Sequence, residues 1–147
     1  WVVVELLLKH GADIDAPDAR GRSPLSAALL TRDARIAELL LKQGAAFDAD
    51  TLLRDVTLAG ISDRDVMDFL VSNGANIDVV YADGKSPLIL AIENGDRLMA
   101  KALVGRGADV NLADAAGRNP LEVATEVGND AIIRLLLRNG AVAGSGP

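Results

Sequence analysis

"GADVNLADAAGRNPLEVATEVGNDAIIRLLLRNG", residues 107–140, reads as one structural unit bounded at both ends by glycine. Asn119-Pro120 opens a helix: the asparagine side chain can accept an orphan backbone N–H, and proline at the first helical position gives up no intrahelical bond. Gly128 falls where that helix must reverse, a place that favours positive φ. In "AIIRLLLRN", residues 131–139, Ile132, Leu135 and Leu136 recur at helical spacing, and Gly140 ends this second helix. Ahead of both helices, "ADVNLADAAGR", residues 108–118, supplies an extended leg, a turn from Asp114 to Gly117 and a return leg. Aspartate first and glycine fourth suit a type I turn.

The unit recurs. Gly-Ala pairs begin at 11, 44, 74, 107 and 140, at intervals of 33, 30, 33 and 33, and each follows a leucine-rich run such as "RIAELLLKQ" at 35–43. Ser23-Pro24 and Ser86-Pro87 match Asn119-Pro120, and Gly95 matches Gly128. A fixed period of this length marks a repeat solenoid.

The chain resembles the ankyrin-repeat family, on its period and on the openers Ser23-Pro24-Leu25-Ser26, Ser86-Pro87-Leu88-Ile89 and Asn119-Pro120-Leu121-Glu122. The resemblance implies an all-α solenoid of helix-loop-helix repeats with short β-hairpin fingers, curved into a slab. It divides residues 1–142 into a half repeat (1–13) and repeats 14–46, 47–76, 77–109 and 110–142, with 143–147 a flexible tail. The start inside a second helix, and a last repeat without a polar outer face, suggest a piece of a longer chain.

One repeat breaks the pattern. From repeat glycine to helix opener the count is 12 for Gly11–Ser23, Gly74–Ser86 and Gly107–Asn119; with Thr51 as opener it is 7 from Gly44. The finger there should be shorter by roughly 8 Å, leaving a notch in the row. Two residues near Ile61-Ser62 are added between this repeat's helices.

"YADGKSPLI", residues 81–89, superficially offers the Gly-Lys-Ser end of a phosphate-binding loop, but Val79 stands where the earlier glycine is required. In the repeat frame Gly84 closes a finger turn, Lys85 projects from it and Ser86 caps a helix.

Composition narrows the function further. Cysteine is absent, so no disulfide or thiolate chemistry is available, and with no leader or membrane-length apolar run the chain is expected in the cytoplasm or nucleus. The net charge of −6 arises between Gly44 and Asp83, where eight acids face two cations. No basic stripe is evident, which argues against nucleic acid as a partner. His10 is the single histidine and stands at a helix end, and no twelve-residue calcium loop occurs. No catalytic, metal or cofactor residue is therefore expected. Asp63/Asp65 and Glu122/Glu126 are the carboxylate pairs that acid–base work would use, although nothing suggests a pocket around them.

The resemblance implies that partners are met by finger tips and the exposed side of the first helices. The corresponding residues are Arg20, Arg22, Asp83, Lys85 and Arg118 on fingers, and Leu30, Thr31, Glu93, Asn94, Glu122 and Glu126 on helices. Arg22, Lys85 and Arg118 form a row of cations that could steer an acidic segment, or could be ordinary solvated charges. Leu103, Asp109, Val110 and Asn111 resemble the setting of hydroxylated ankyrin asparagines, unless Asn111 simply bonds the finger. The expected role is a non-catalytic module that binds a protein partner. The alternative is a spacer or intramolecular regulatory segment acting on another domain of the same chain.

Overall fold

The computed structural model describes Leu6 and residues 9–143. The helix expected over residues 1–8 lies almost wholly outside the described residues, as does the expected tail beyond Ala143. Eight helices follow among the described residues: α1 (Pro24–Leu30), α2 (Ala34–Lys42), α3 (Ala49–Ala59), α4 (Arg64–Ser72), α5 (Pro87–Glu93), α6 (Arg97–Gly105), α7 (Pro120–Val127) and α8 (Asp130–Arg138). Each odd helix pairs with the even one after it. The odd helices stack on one another in chain order, and behind them α2 packs on α4 and α6 on α8. The fold is an all-α solenoid of helix-loop-helix units.

Local chemistry sets the helix ends. Ser23, Ser86 and Asn119 cap α1, α5 and α7, accepting the N–H groups of Ser26, Ile89 and Glu122 at 3.2, 3.3 and 2.8 Å. Asn119 completes a capping box, its own N–H donating to Glu122 Oε2 at 2.8 Å. Asp33, Asp96 and Asn129 cap α2, α6 and α8 through the N–H groups of Ile36, Met99 and Ile132. Apolar side chains between the layers form one cluster, with Leu29, Leu53, Leu70, Leu103 and Leu136 fully enclosed. Each such side chain contributes about 1.5–3 kcal/mol by leaving water.

The expected β-hairpin fingers are not present: no strand occurs among the described residues. Each finger is instead a tight turn with two backbone bonds. The glycines Gly21, Gly84 and Gly117 donate back to the carbonyls of Asp18, Tyr81 and Asp114 at 3.0, 2.8 and 2.9 Å, and a second bond joins the ends of the turn. Asp18 N–H donates to Arg22 O at 2.9 Å, Tyr81 to Lys85 at 3.0 Å, and Asp114 to Arg118 at 2.9 Å. Side chains take the groups that a strand ladder would use. Asp18 Oδ1 accepts from the N–H groups of Arg20 and Arg22, and Asp114 Oδ1 from those of Ala116 and Arg118. Further back, Asp13, Asn76 and Asp109 each accept the N–H two residues on, bending the leg out of an extended path.

The legs are tied between repeats rather than within them. Ala46 N–H donates to Asp15 Oδ1 at 2.7 Å, Asn76 to Asp50 at 2.8 Å, Asp109 to Asp78 at 2.8 Å and Val142 to Asn111 at 3.0 Å. Three of these bonds span 31 residues; that of Asp50, which lies in the first turn of α3 rather than on a leg, spans 26.

The broken repeat differs from expectation in where its helix begins. Asp48, not Thr51, sits ahead of the helix, accepting the N–H groups of Asp50 and Thr51 at 3.2 and 3.4 Å. Only four residues separate Gly44 from this cap, so no finger forms at all, and α3 runs 11 residues against 7 in α1 and α5. Phe47, in the short connection, is pinned edge-on against Phe69 of α4 with centroids 6.3 Å apart.

Candidate interaction surface

Beside the missing finger stands Tyr81, at the position where the other two fingers carry Asp18 and Asp114. Its hydroxyl donates to the Asp50 carbonyl at 2.7 Å, and the Arg54 guanidinium lies over its ring, 5.5 Å from the centroid. Arg54 also pairs with Asp83 at 3.2 Å. Burial and the nearby Asp50 carboxylate raise the phenol's pKa, so it remains a protonated donor. The gap in the finger row is thus partly filled from the following finger.

The three finger cations are all engaged within the chain. Arg22 pairs with Asp18 at 2.8 Å inside its own finger. Lys85 Nζ pairs with Glu93 Oε2 at 2.8 Å, and Glu93 Oε1 receives Arg118 Nη2 at 3.3 Å. Arg118 further pairs with Asp114 at 2.7 Å and with Glu126 at 2.7 Å. Lys85, Glu93, Arg118, Asp114 and Glu126 therefore form one chain of ion pairs joining two fingers to α5 and α7. Burial would raise the Asp114 pKa, but the Arg118 N–H and guanidinium outweigh it and hold the carboxyl below its ordinary range.

The remaining candidates are more dispersed. Arg20 is exposed at the first finger tip, and Thr31 and Asn94 are exposed at the ends of α1 and α5. Leu30 is half-buried against the core. Glu122 is occupied in the α7 capping box. Glu126 is paired with Arg118 as described, and Asp63 is paired with Arg32 at 2.9 Å. Arg118, Glu122 and Glu126 line an open hollow of about 550 Å³ on α7, with Leu121 and Thr125 between them.

Sequence reasoning missed Asp114, Arg54 and Asp50 as organisers of this surface. The Asp18/Arg22 and Asp114/Arg118 pairs share an i, i+4 spacing around the turn glycine, a signal legible in the chain. Asn111 is a structural residue: Oδ1 accepts from Val142 N–H, and Nδ2 donates to Gly140 O at 3.2 Å. His10 is exposed at its helix end.

Among the described residues no three His, Cys, Asp or Glu side chains gather closely enough to hold a metal ion. No helix among them is long and apolar enough to cross a membrane.

Stacked helix pairs with turn-closed fingers define a repeat scaffold. A family model described as "Ankyrin repeats (3 copies)" matches residues 57–145, and "Ankyrin repeats (many copies)" matches residues 3–41. The chain belongs to the ankyrin-repeat family. It is 38% identical over 102 residues to the rat cyclin-dependent kinase 4 inhibitor B, covering 67% of this chain and 78% of that protein. It is 37% identical over 89 residues to the rat ankyrin repeat domain-containing protein 46, covering 60% of this chain and 39% of the relative. An ankyrin repeat protein of fowlpox virus is 30% identical over 94 residues, 64% of this chain and 16% of that protein. The chain therefore spans a minor part of the last two relatives.

Proposed function

We propose that the chain is a non-catalytic module that binds a protein partner across its finger tips and the exposed side of the odd helices. The observation that carries this reading is the ion-pair chain from Lys85 to Glu126, which holds two fingers and two helices in one arrangement. A surface ordered before binding loses little conformational entropy when it docks. Family membership agrees, and one relative is by its name an inhibitor of a kinase, a protein target. Because Arg22, Lys85 and Arg118 are already paired, as are Asp83 with Arg54 and Glu126 with Arg118, contact falls first to the exposed groups beside them, Arg20, Thr31 and Asn94, with Leu30 and Glu122 behind. The alternative partner is another domain of the same polypeptide.

The test is crosslinking of the 147-residue chain in lysate, read by mass spectrometry, beside an Arg20→Glu/Thr31→Arg/Asn94→Arg variant. These exposed changes spare the ion-pair chain and should leave the circular dichroism spectrum unchanged. A protein captured by the parent and lost by the variant is expected. Retention by both would move the interface away from this face.

A further inference from the structure

The even helices carry a second charged surface. Between α6 and α8 lies a hollow of about 380 Å³ lined by Arg97, Lys101, Arg134 and Arg138, with Ala131 and half-buried Leu135 between them. Among the described residues none of these four cations makes an ion pair, whereas Arg22, Lys85 and Arg118 on the fingers do. Helix α6 contains no acid, and the single acid of α8 is Asp130 in its first turn. The corresponding hollow between α2 and α4 is different in kind, mixing Arg35 with Glu38, Asp65 and Asp68. Four cations left together in a chain of net charge −6 stand against its overall electrostatics.

Their spacing is specific. Arg97 and Lys101 lie four residues apart on α6, as do Arg134 and Arg138 on α8, so each pair is separated by about 6 Å along its helix axis. Two cation rows with the same one-turn pitch flank an apolar floor, and Leu98, 65% exposed, adjoins Arg97. A helix with carboxylates one turn apart and an apolar residue between them would match both rows and the floor.

We propose that the α6–α8 hollow is a second docking site, on the side away from the fingers, for an acidic amphipathic helix of a protein partner. Guanidinium groups suit this role because they meet carboxylates in a planar, two-point geometry and desolvate more readily than ammonium.

The experiment displays a library of helical peptides, with all residue types at the exposed positions, to the 147-residue chain. Enrichment of peptides with Glu or Asp at i, i+4 is expected. Their affinity should fall about tenfold or more in Arg97→Glu/Arg134→Glu, and should weaken with added salt. Arg35→Glu/Lys42→Glu, on the more distant even helix α2, should bind like the parent. Circular dichroism checks that both variants fold, which exposed charge changes permit. The proposal is overturned if enriched peptides lack the acidic spacing or ignore the reversal. It is equally overturned if a 20-nucleotide single strand or phosphatidylserine vesicles bind the site in preference to the peptides. Self-association of the chain, abolished by the same reversal, would give the hollow to a second copy instead.

Discussion

Asp50 Oδ1 accepts the Asn76 backbone N–H at 2.8 Å, holding the repeat that lacks a finger in line with its successor. Asp15, Asp78 and Asn111 make the same bond in the repeats that have one. Asp50→Ala should lower stability by about 1 kcal/mol in urea unfolding, because the N–H loses its acceptor. Asp50→Asn keeps the oxygen and should be close to neutral. Equal losses in the two variants would show that the charge, rather than the bond, matters.

Gly84 sits at φ 77°, and a Cβ there would overlap the Cβ of Ala115, whose N–H donates to Gly84 O at 3.0 Å. Gly117 has φ 81° but open space around it. Gly117→Ala should therefore cost about 1 kcal/mol through backbone strain alone. Gly84→Ala should cost about 3 kcal/mol, since the clash is added. Combining it with Ala115→Gly should return part of the loss, which thermal or urea melts of all four proteins would read.

Arg32 adopts φ 63° in the turn where Gly60, Gly95 and Gly128 stand in the other repeats. That conformation costs a side-chain-bearing residue about 1–2 kcal/mol. Its ion pair with Asp63 is exposed and returns about 0–1 kcal/mol. Arg32→Gly should accordingly raise stability by about 0.5–1 kcal/mol, and a lower unfolding midpoint would contradict the balance.

The carboxyls of Asp18, Asp48 and Asp114 are all held below their ordinary value of 3.8. For Asp18 the leading cause is the Arg22 N–H, and for Asp48 the Thr51 hydroxyl. A depressed folded pKa means that the stabilisation is fully present above 3.8 and is lost as pH falls through the folded value. Unfolding free energy should be nearly level from neutral pH to about pH 5 and should fall below about pH 4. Asp114→Asn should be less stable at pH 7 and show a shallower acid limb, measured by denaturant titration at each pH.

Tyr81→Phe removes the bond to the Asp50 carbonyl while keeping the ring beneath Arg54. The expected cost is about 1 kcal/mol. Hydrogen exchange should locate the change at the start of α3 and in the Tyr81–Lys85 turn.

What the chain disclosed directly was local. Ser23, Ser86 and Asn119 cap helices because a cap needs only a side chain and an N–H three residues away. Gly95 and Gly128 reverse the chain for an equally local reason. The strand-paired finger was misread because turn residues fit a hairpin equally well, whereas the competing acceptors are side chains of the same turn and of the next repeat. Counting back from Gly60 points to Thr51 as the opener, because finger loss and helix extension change the repeat length in opposite directions, whereas the cap is Asp48. The cations were legible by position, yet their partners were not. Glu93 lies eight residues from Lys85 and twenty-five from Arg118, and only the stacking of α5 on α7 brings it to both.

The acceptor that links one repeat to the next and the residues that build a finger are separate parts of the chain. In the third unit the finger is gone, yet Asp50 still reaches Asn76. Insertions and deletions between Gly44 and Asp48 can thus accumulate without throwing the stack out of phase. Such an array can differ in finger length from one unit to the next while its spine stays in phase.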